Sequence, residues 1–271
     1  MNKDRFISST LMILLAVAAI LNEWMFIIVL LALTIGGLYE FFYLIKKKGI
    51  PIYSYTGIAI GVLIPLSIFT RFEPTKGWEL LFIVLVLLMI FLMQFSRRDN
   101  NNAIVGISTT LFGILYVSWF FSFLIKIRFL LPGVEGAKLL GFILLVTKSG
   151  DIGALLIGSY FGKHPLFPRI SPKKTVEGSV GSYLFSAMAA VLGQSLLPPG
   201  LYSSFWQIAL VGIVFGALGQ LGDLSESLIK RDCNVKDSGK MLPAIGGVLD
   251  AIDSVLFAAP VFYFYMSTIL K

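Results

Sequence analysis

The sequence predicts an all-α, polytopic membrane helix bundle of about nine transmembrane helices. Three observations carry that prediction. First, 57% of the 271 residues are hydrophobic and only 14% charged, with a mean hydropathy of +0.87, whereas soluble domains carry about 25% charged residues. Second, the apolar runs are about 20 residues long, the length of a membrane-crossing helix and about twice that of a barrel strand. Third, the basic residues alternate in number between successive connections, as the positive-inside rule requires.

Taken in order, the apolar spans lie near residues 5–21, 25–45, 53–70, 78–96, 103–124, 138–161, 178–197, 205–225 and 247–269. The first run has no small-residue cleavage site followed by a polar domain, so it reads as a span rather than a cleavable signal. With the N-terminus on the cytoplasmic side, Lys3, Arg5, Lys46, Lys47, Lys48, Arg97, Arg98, Lys163, Arg169, Lys173, Lys174, Lys230, Arg231, Lys236 and Lys240 fall inside. Only Arg71, Lys76, Lys126, Arg128, Lys138 and Lys271 fall outside, and Lys148 lies within a span. This asymmetry orients the chain in a cell inner or plasma membrane, with the polar stretch between the last two spans facing the cytoplasm.

Residues 1–130 read as a transmembrane scaffold and 131–271 as the catalytic region of one integrated membrane unit. The first part is nearly free of charge within its spans, and Trp119, Phe120 and Phe121 read as packing residues. Glu40, near the cytoplasmic end of the second span, reads first as a carboxylate that snorkels or pairs with a nearby lysine and second as a structural or substrate contact. The Asn100-Asn101-Asn102 run reads as a turn. No internal repeat is visible, which gives an inverted-repeat transporter no support.

The character changes at Lys148. Lys148 and Asp151 are three residues apart inside the sixth span, so they can pair on one helix face and form a wall of a polar cavity. Gly150, Gly153 and Gly158 permit close helix contact there. Ser171-Pro172-Lys173-Lys174-Thr175 then precedes the seventh span. Two lysines at a helix mouth, with Ser171 and Thr175 as caps, suit an anion.

The polar stretch from Gly222 to Asp253 is the centre of the chain. Asp223 and Glu226 end the eighth span, and Asp250 and Asp253 begin the ninth. Each pair has helical spacing, which sets two carboxylates on one face about 5–6 Å apart at Cβ. Four carboxylates can hold a hard cation such as Mg²⁺. Lys230, Arg231, Lys236 and Lys240 lie between them, and Gly246-Gly247 permits close approach of backbone amides to a phosphate. Together they read as a metal-assisted phosphate site at a membrane surface.

Other chemistries find little support. One cysteine, Cys233, excludes an internal disulfide framework, and one histidine, His164, argues against a His-rich zinc site. No Gly-x-Ser-x-Gly elbow or Walker A loop is present. The net charge of +7 is spread in short clusters between apolar runs, which is a topology and anionic-lipid pattern and not one for nucleic acid.

The polar stretch also carries a family likeness. Ser227-Leu-Ile-Lys230-Arg231, then Lys236-Asp237-Ser238-Gly239, Leu242-Pro243, Gly246-Gly247 and Asp250-x-x-Asp253 resemble the signature of the phosphatidate cytidylyltransferases, the CDP-diacylglycerol synthases. Asp151-Ile-Gly-Ala154, Gly162-Lys163 and Ser171-Pro172-Lys173-Lys174-Thr175-x-Glu177-Gly178 resemble the same family upstream. Two positions depart from its pattern: Ile245 stands where the family usually has His, and Ala251 where it usually has Arg.

That resemblance implies that CTP and phosphatidic acid give CDP-diacylglycerol and pyrophosphate at the bilayer, with Mg²⁺, alone or with a second cation, and in a homodimer. It assigns Asp223, Asp250 and Asp253 to the metal, with Glu226 as a ligand or its support, and Lys230, Arg231 and Lys236 to the CTP phosphates. It sets Asp151, Lys173, Lys174 and Thr175 around the lipid or nucleotide phosphate, and Glu177, Ser227, Asp237, Gly246 and Gly247 along the substrate. The competing readings are a CTP-dependent polyprenol or lipid kinase, which releases CDP, and an ion-coupled transporter, which consumes no nucleotide.

Overall fold

The computed structural model describes residues 14–72, 74–75, 77–97, 100–202, 204–239, 241 and 246–270. Residues 5–13 of the first expected span lie outside that set, as do Lys3, Arg5, Lys76, Arg98, Lys240, Leu242, Pro243, Ile245 and Lys271.

Residues 14–21 are helical. Nine α-helices follow among the described residues: α1 (Glu23–Lys47), α2 (Ser54–Phe69), α3 (Trp78–Phe95), α4 (Ala103–Gly113), α5 (Phe120–Arg128), α6 (Gly133–Phe161), α7 (Val176–Leu192), α8 (Phe205–Asp232) and α9 (Val248–Ile269). A π-helical segment, Ile114–Trp119, joins α4 to α5, so that Ala103–Arg128 is one continuous rod. Seven helices, counting that rod once, are long and apolar enough to cross a membrane. The chain is an integral membrane protein. The expected third span is α2, whose 16 residues extend about 24 Å, short of a hydrocarbon core of about 30 Å.

Local sequence explains the boundaries. Asn22 caps α1, its Oδ1 accepting from Met25 N at 3.0 Å, and Lys46 and Lys47 occupy the last turn, where the helix dipole favours cations. Ser204 caps α8 by accepting from Trp206 N at 3.3 Å. Thr175 caps α7 by accepting from Gly178 N at 3.1 Å, as its position before the seventh span suggested. Ser171 caps nothing; it lies in a two-stranded antiparallel hairpin, β1 (Pro165–Phe167) and β2 (Ser171–Thr175). This hairpin is the one departure from the all-α expectation among the described residues.

The helices pack in sequence-adjacent pairs, with α6 on α7, α7 on α8 and α8 on α9 the most extensive contacts. Glycines make this possible. A Cβ on Gly153 of α6 would sit 2.5 Å from Gly181 O of α7, and one on Gly212 of α8 would sit 2.5 Å from Ser186 O. Such backbone proximity is how membrane helices gain attraction where lipid offers no hydrophobic drive. Helix α9 also packs on α1 and α5, and Phe142, Phe215 and Phe262 close the core between α6, α8 and α9. Helix α3 turns Leu80, Val84, Leu88, Leu92 and Phe95 outward, an apolar face suited to lipid.

Candidate active site

Helices α6, α8 and α9 carry polar residues into an apolar bundle, and the helical spacing read from the sequence decides which ones meet. On α6, Lys148 Nζ lies 3.2 Å from Asp151 Oδ2, the pairing expected at three-residue spacing. Ser254 of α9 joins them: its hydroxyl lies 2.8 Å from Lys148 Nζ and 2.9 Å from Asp151 Oδ2. Lys148 also donates to Ala251 O at 3.1 Å. A charge pair within one helix is therefore satisfied by a second helix, α9.

Asp253 follows on the same turn of α9. It is buried, accepts from Ser254 N at 2.5 Å, and lies within electrostatic reach of Asp223, Lys148 and Asp151. Helices α8 and α9 touch here: a Cβ on Gly222 would collide with Asp253 O. The neighbouring Asp223 is thereby brought beside α9, and its Oδ2 lies 2.8 Å from Lys174 Nζ on β2. Ser227, one turn along α8, lies 3.5 Å from Asp223 Oδ1.

Between α6, β2 and α8 opens a cavity of about 470 Å³. Asp151, Lys173, Lys174, Thr175, Gln220 and Asp223 supply its polar wall, and Ala154, Leu155 and Gly158 its apolar one. Gln220 was not foreseen. It stands three residues before Asp223, so helical spacing alone could have found it; its Nε2 donates to Ser179 Oγ at 2.5 Å.

The other two carboxylates of the expected set form an adjoining cluster. Lys230 of α8 is clamped between Glu226, which is fully buried, and Asp250 Oδ1 at 2.5 Å. Asp250 Oδ2 accepts from Gly247 N at 2.9 Å, Ser238 Oγ at 2.8 Å and Ser238 N at 3.3 Å. Gly246 adopts φ +118° directly before this cap, a conformation that L side chains rarely reach. Glu40 enters the same cluster from α1, accepting from Leu249 N at 2.9 Å, with the Ser238 hydroxyl, which it shares with Asp250, at 3.1 Å. It neither snorkels nor pairs with a lysine, as its place near the helix end suggested: it is 2% exposed and forms no ion pair among the described residues.

The remaining expected residues lie at the rim. Arg231 donates from Nε to Ile170 O at 3.1 Å and from a terminal nitrogen to Val235 O at 3.2 Å, fastening the hairpin to α8. Glu177 accepts from Lys163 N at 3.1 Å and His164 N at 3.2 Å and pairs with His164 Nδ1 at 2.6 Å, closing the other side of the hairpin. Lys236 and Asp237 are exposed on the loop between α8 and α9.

Among the described residues, no three His, Cys, Asp or Glu side chains gather as one cation cage. The donor set nevertheless fits Mg²⁺, which keeps several waters and usually takes only one or two carboxylates together with substrate phosphates. Asp223 and Asp253 are such a pair, with like charges held close by the α8–α9 contact.

Comparison with known proteins identifies the family of this chain. The model of the cytidylyltransferase family matches residues 3–269. The chain is 33% identical to the phosphatidate cytidylyltransferase of Synechocystis sp. over 297 aligned positions, covering 100% of this chain and 98% of the relative. It is 30% identical to the phosphatidate cytidylyltransferase of Bacillus subtilis, covering 92% and 91%. It is also 33% identical to the uncharacterized protein YnbB of Escherichia coli, covering 80% and 70%. With a family match running through nearly every residue and relatives aligned over almost their full length, the chain belongs to the cytidylyltransferase family.

Proposed function

We infer that the protein is a phosphatidate cytidylyltransferase that converts CTP and phosphatidic acid to CDP-diacylglycerol and pyrophosphate. Beyond family membership and its named relatives, one structural observation supports this reading: the cavity pairs the cations of Lys173 and Lys174 with the carboxylates of Asp151 and Asp223 beside an apolar wall. That lining suits a lipid phosphate whose acyl chains stay in the bilayer.

The reaction joins two anions. A phosphate oxygen of phosphatidic acid attacks the α-phosphorus of CTP; the new O–P bond forms, the α–β anhydride bond breaks, and pyrophosphate leaves with the electron pair. The attacking phosphate is already deprotonated near neutral pH, so no general base is needed, in keeping with a site whose one neighbouring histidine, His164, is turned toward Glu177. Lys173 and Lys174 neutralise the approaching phosphates, which lowers an electrostatic barrier. Asp223 and Asp253 would hold Mg²⁺, which would supply stabilisation of the charge that develops on the transferring phosphoryl group. Glu226 and Asp250, tied to Lys230, back this pair from the adjoining cluster. Lys236, exposed on the loop, is available to the nucleotide phosphates. Residues 131–271 form the catalytic region and open on the cytoplasmic side, where CTP is found.

The test is an assay of purified protein in detergent with phosphatidic acid, CTP and Mg²⁺, following pyrophosphate and lipid product, with Asp223→Asn alongside. Stoichiometric pyrophosphate and CDP-diacylglycerol, lost in the variant, support the assignment. Release of CDP with a phosphorylated lipid product would replace it with a lipid kinase.

A further inference from the structure

We propose that Glu40, on a helix remote in sequence from the polar motif, is a positioning residue for the reaction: it sets the first turn of α9 and the loop before it, and so aims Asp250 and Asp253. The proposal rests on the reaction assigned above, because its catalytic effect is read through those two carboxylates.

A buried carboxylate within a membrane-crossing helix is costly unless its lone pairs are used. Glu40 uses those of Oε2 at one place, while its buried Oε1 has no hydrogen-bond partner among the described residues. Its Oε2 accepts from Leu249 N at 2.9 Å, one of the first-turn amides for which α9 offers no internal partner. Asp250, from α9 itself, takes the neighbouring amide of Gly247 at 2.9 Å. Two carboxylates from different helices thus divide the amides at one helix start, where negative charge is favoured. The Ser238 hydroxyl lies between them, 3.1 Å from Glu40 and 2.8 Å from Asp250.

The surrounding chain is shaped to this carboxylate. A Cβ on Gly247 would lie 2.5 Å from Glu40 Oε2, and one on Gly239 would collide with Glu40 Oε1. Gly239 and Gly247 both belong to the connection between α8 and α9, so Glu40 abuts that connection at two points. Rotation or sliding of the first turn of α9 would break the Leu249 contact first. It would also carry Asp250 away from Lys230 and Asp253 away from its place beside Asp223. Glu40 itself does not line the cavity, which makes it a residue acting through others.

The experiment compares purified full-length wild type, Glu40→Ala and Glu40→Gln, by steady-state kinetics and by amide hydrogen exchange. Glu40→Ala is expected to lower kcat about 100-fold, the cost of a misplacement of about 1 Å. KM for phosphatidic acid should stay within about threefold, because Lys173 and Lys174 stand on another element. Glu40→Gln keeps an amide oxygen for Leu249 N and should recover at least about tenfold of the lost rate. Exchange should quicken at residues 247–249 and stay unchanged in the apolar part of α8. The proposal is overturned if Glu40→Ala keeps kcat within about threefold, if Gln serves no better than Ala, or if exchange quickens equally in α8. Wild type that makes no CDP-diacylglycerol overturns the reaction itself, and the exchange arm, which needs no turnover, tells that outcome apart by still reporting the Glu40 contact.

Discussion

The ammonium of Lys174 lies 2.8 Å from Oδ2 of Asp223, tying strand β2 to helix α8 across the polar cavity. The lysine side chain is 20% exposed and the aspartate 38%, so the pair is partly open to solvent and can exchange for a stronger partner. A substrate phosphate is such a partner for the lysine, and Mg²⁺ for the carboxylate. Replacing Lys174 by Met should lower kcat/KM about 100-fold, in the range seen when one charge-stabilising donor is removed. Combining it with Asp223→Asn should cost far less than the product of the two single losses, since both act on one event. Initial rates of pyrophosphate release across the four proteins check this.

Asp253 sits on the far side of the same pair and has Asp223 and Asp151 as electrostatic neighbours. Asp253→Asn should raise the Mg²⁺ concentration for half-maximal rate by about 10- to 100-fold, the usual range for a lost contact around a metal. A Mg²⁺ titration at saturating CTP measures it; an unchanged midpoint would remove Asp253 from the metal.

Lys230 is the one cation between Glu226 and Asp250 among the described residues. Lys230→Met leaves two carboxylates facing each other, one of them fully buried. The expected loss is about 3–5 kcal/mol, which lowers the thermal midpoint by about 10 °C for a chain of this size. Adding Glu226→Gln to that variant should recover a large part of the loss, because it removes one of the two stranded charges. Thermal unfolding in detergent reads both.

Two glycines of α6 should respond with opposite signs. A Cβ at Gly153 would press on Gly181 O and Phe185, while at Gly141 nothing lies within 4 Å. Gly153→Ala is expected to destabilise by about 1–3 kcal/mol through overpacking. Gly141→Ala should stabilise by about 0.5–1 kcal/mol through helix propensity. The same unfolding assay compares them.

Cys233, just past the end of α8, is 6% exposed, and burial raises its thiol pKa. The thiolate is the reactive form, so alkylation at pH 7.5 should run at least about tenfold slower in the folded protein than in denaturant. Timed maleimide labelling followed by mass analysis checks it.

The helices could be read from the chain because each had to satisfy its own backbone within lipid, and apolar runs of membrane length have one solution to that demand. The pairing of Lys148 with Asp151 was legible for the same reason, being a matter of spacing on one helix. The hairpin of residues 165–175 was not: its lysines and prolines carry no period-2 apolar pattern, and its register is held by Glu177 and Arg231 from two helices. Glu40 was misread because its partners, Ser238 and Leu249, lie about 200 positions away.

What the amino-acid order determined alone was the membrane bundle, the place of the polar stretch between α8 and α9, and the chemistry of its residues. Local hydrogen bonding, hydropathy and helical spacing are short-range, so the order of residues contains them. Which lysine faces which carboxylate was decided only in three dimensions. Helices α8 and α9 meet where Gly222 lets the backbone of Asp253 approach, and that contact brings Asp223 within electrostatic reach of Asp253 while Lys230 pairs with Glu226 and Asp250. Electrostatic energy depends on distance through space, and the distances between residues far apart in sequence exist only once the helices have packed.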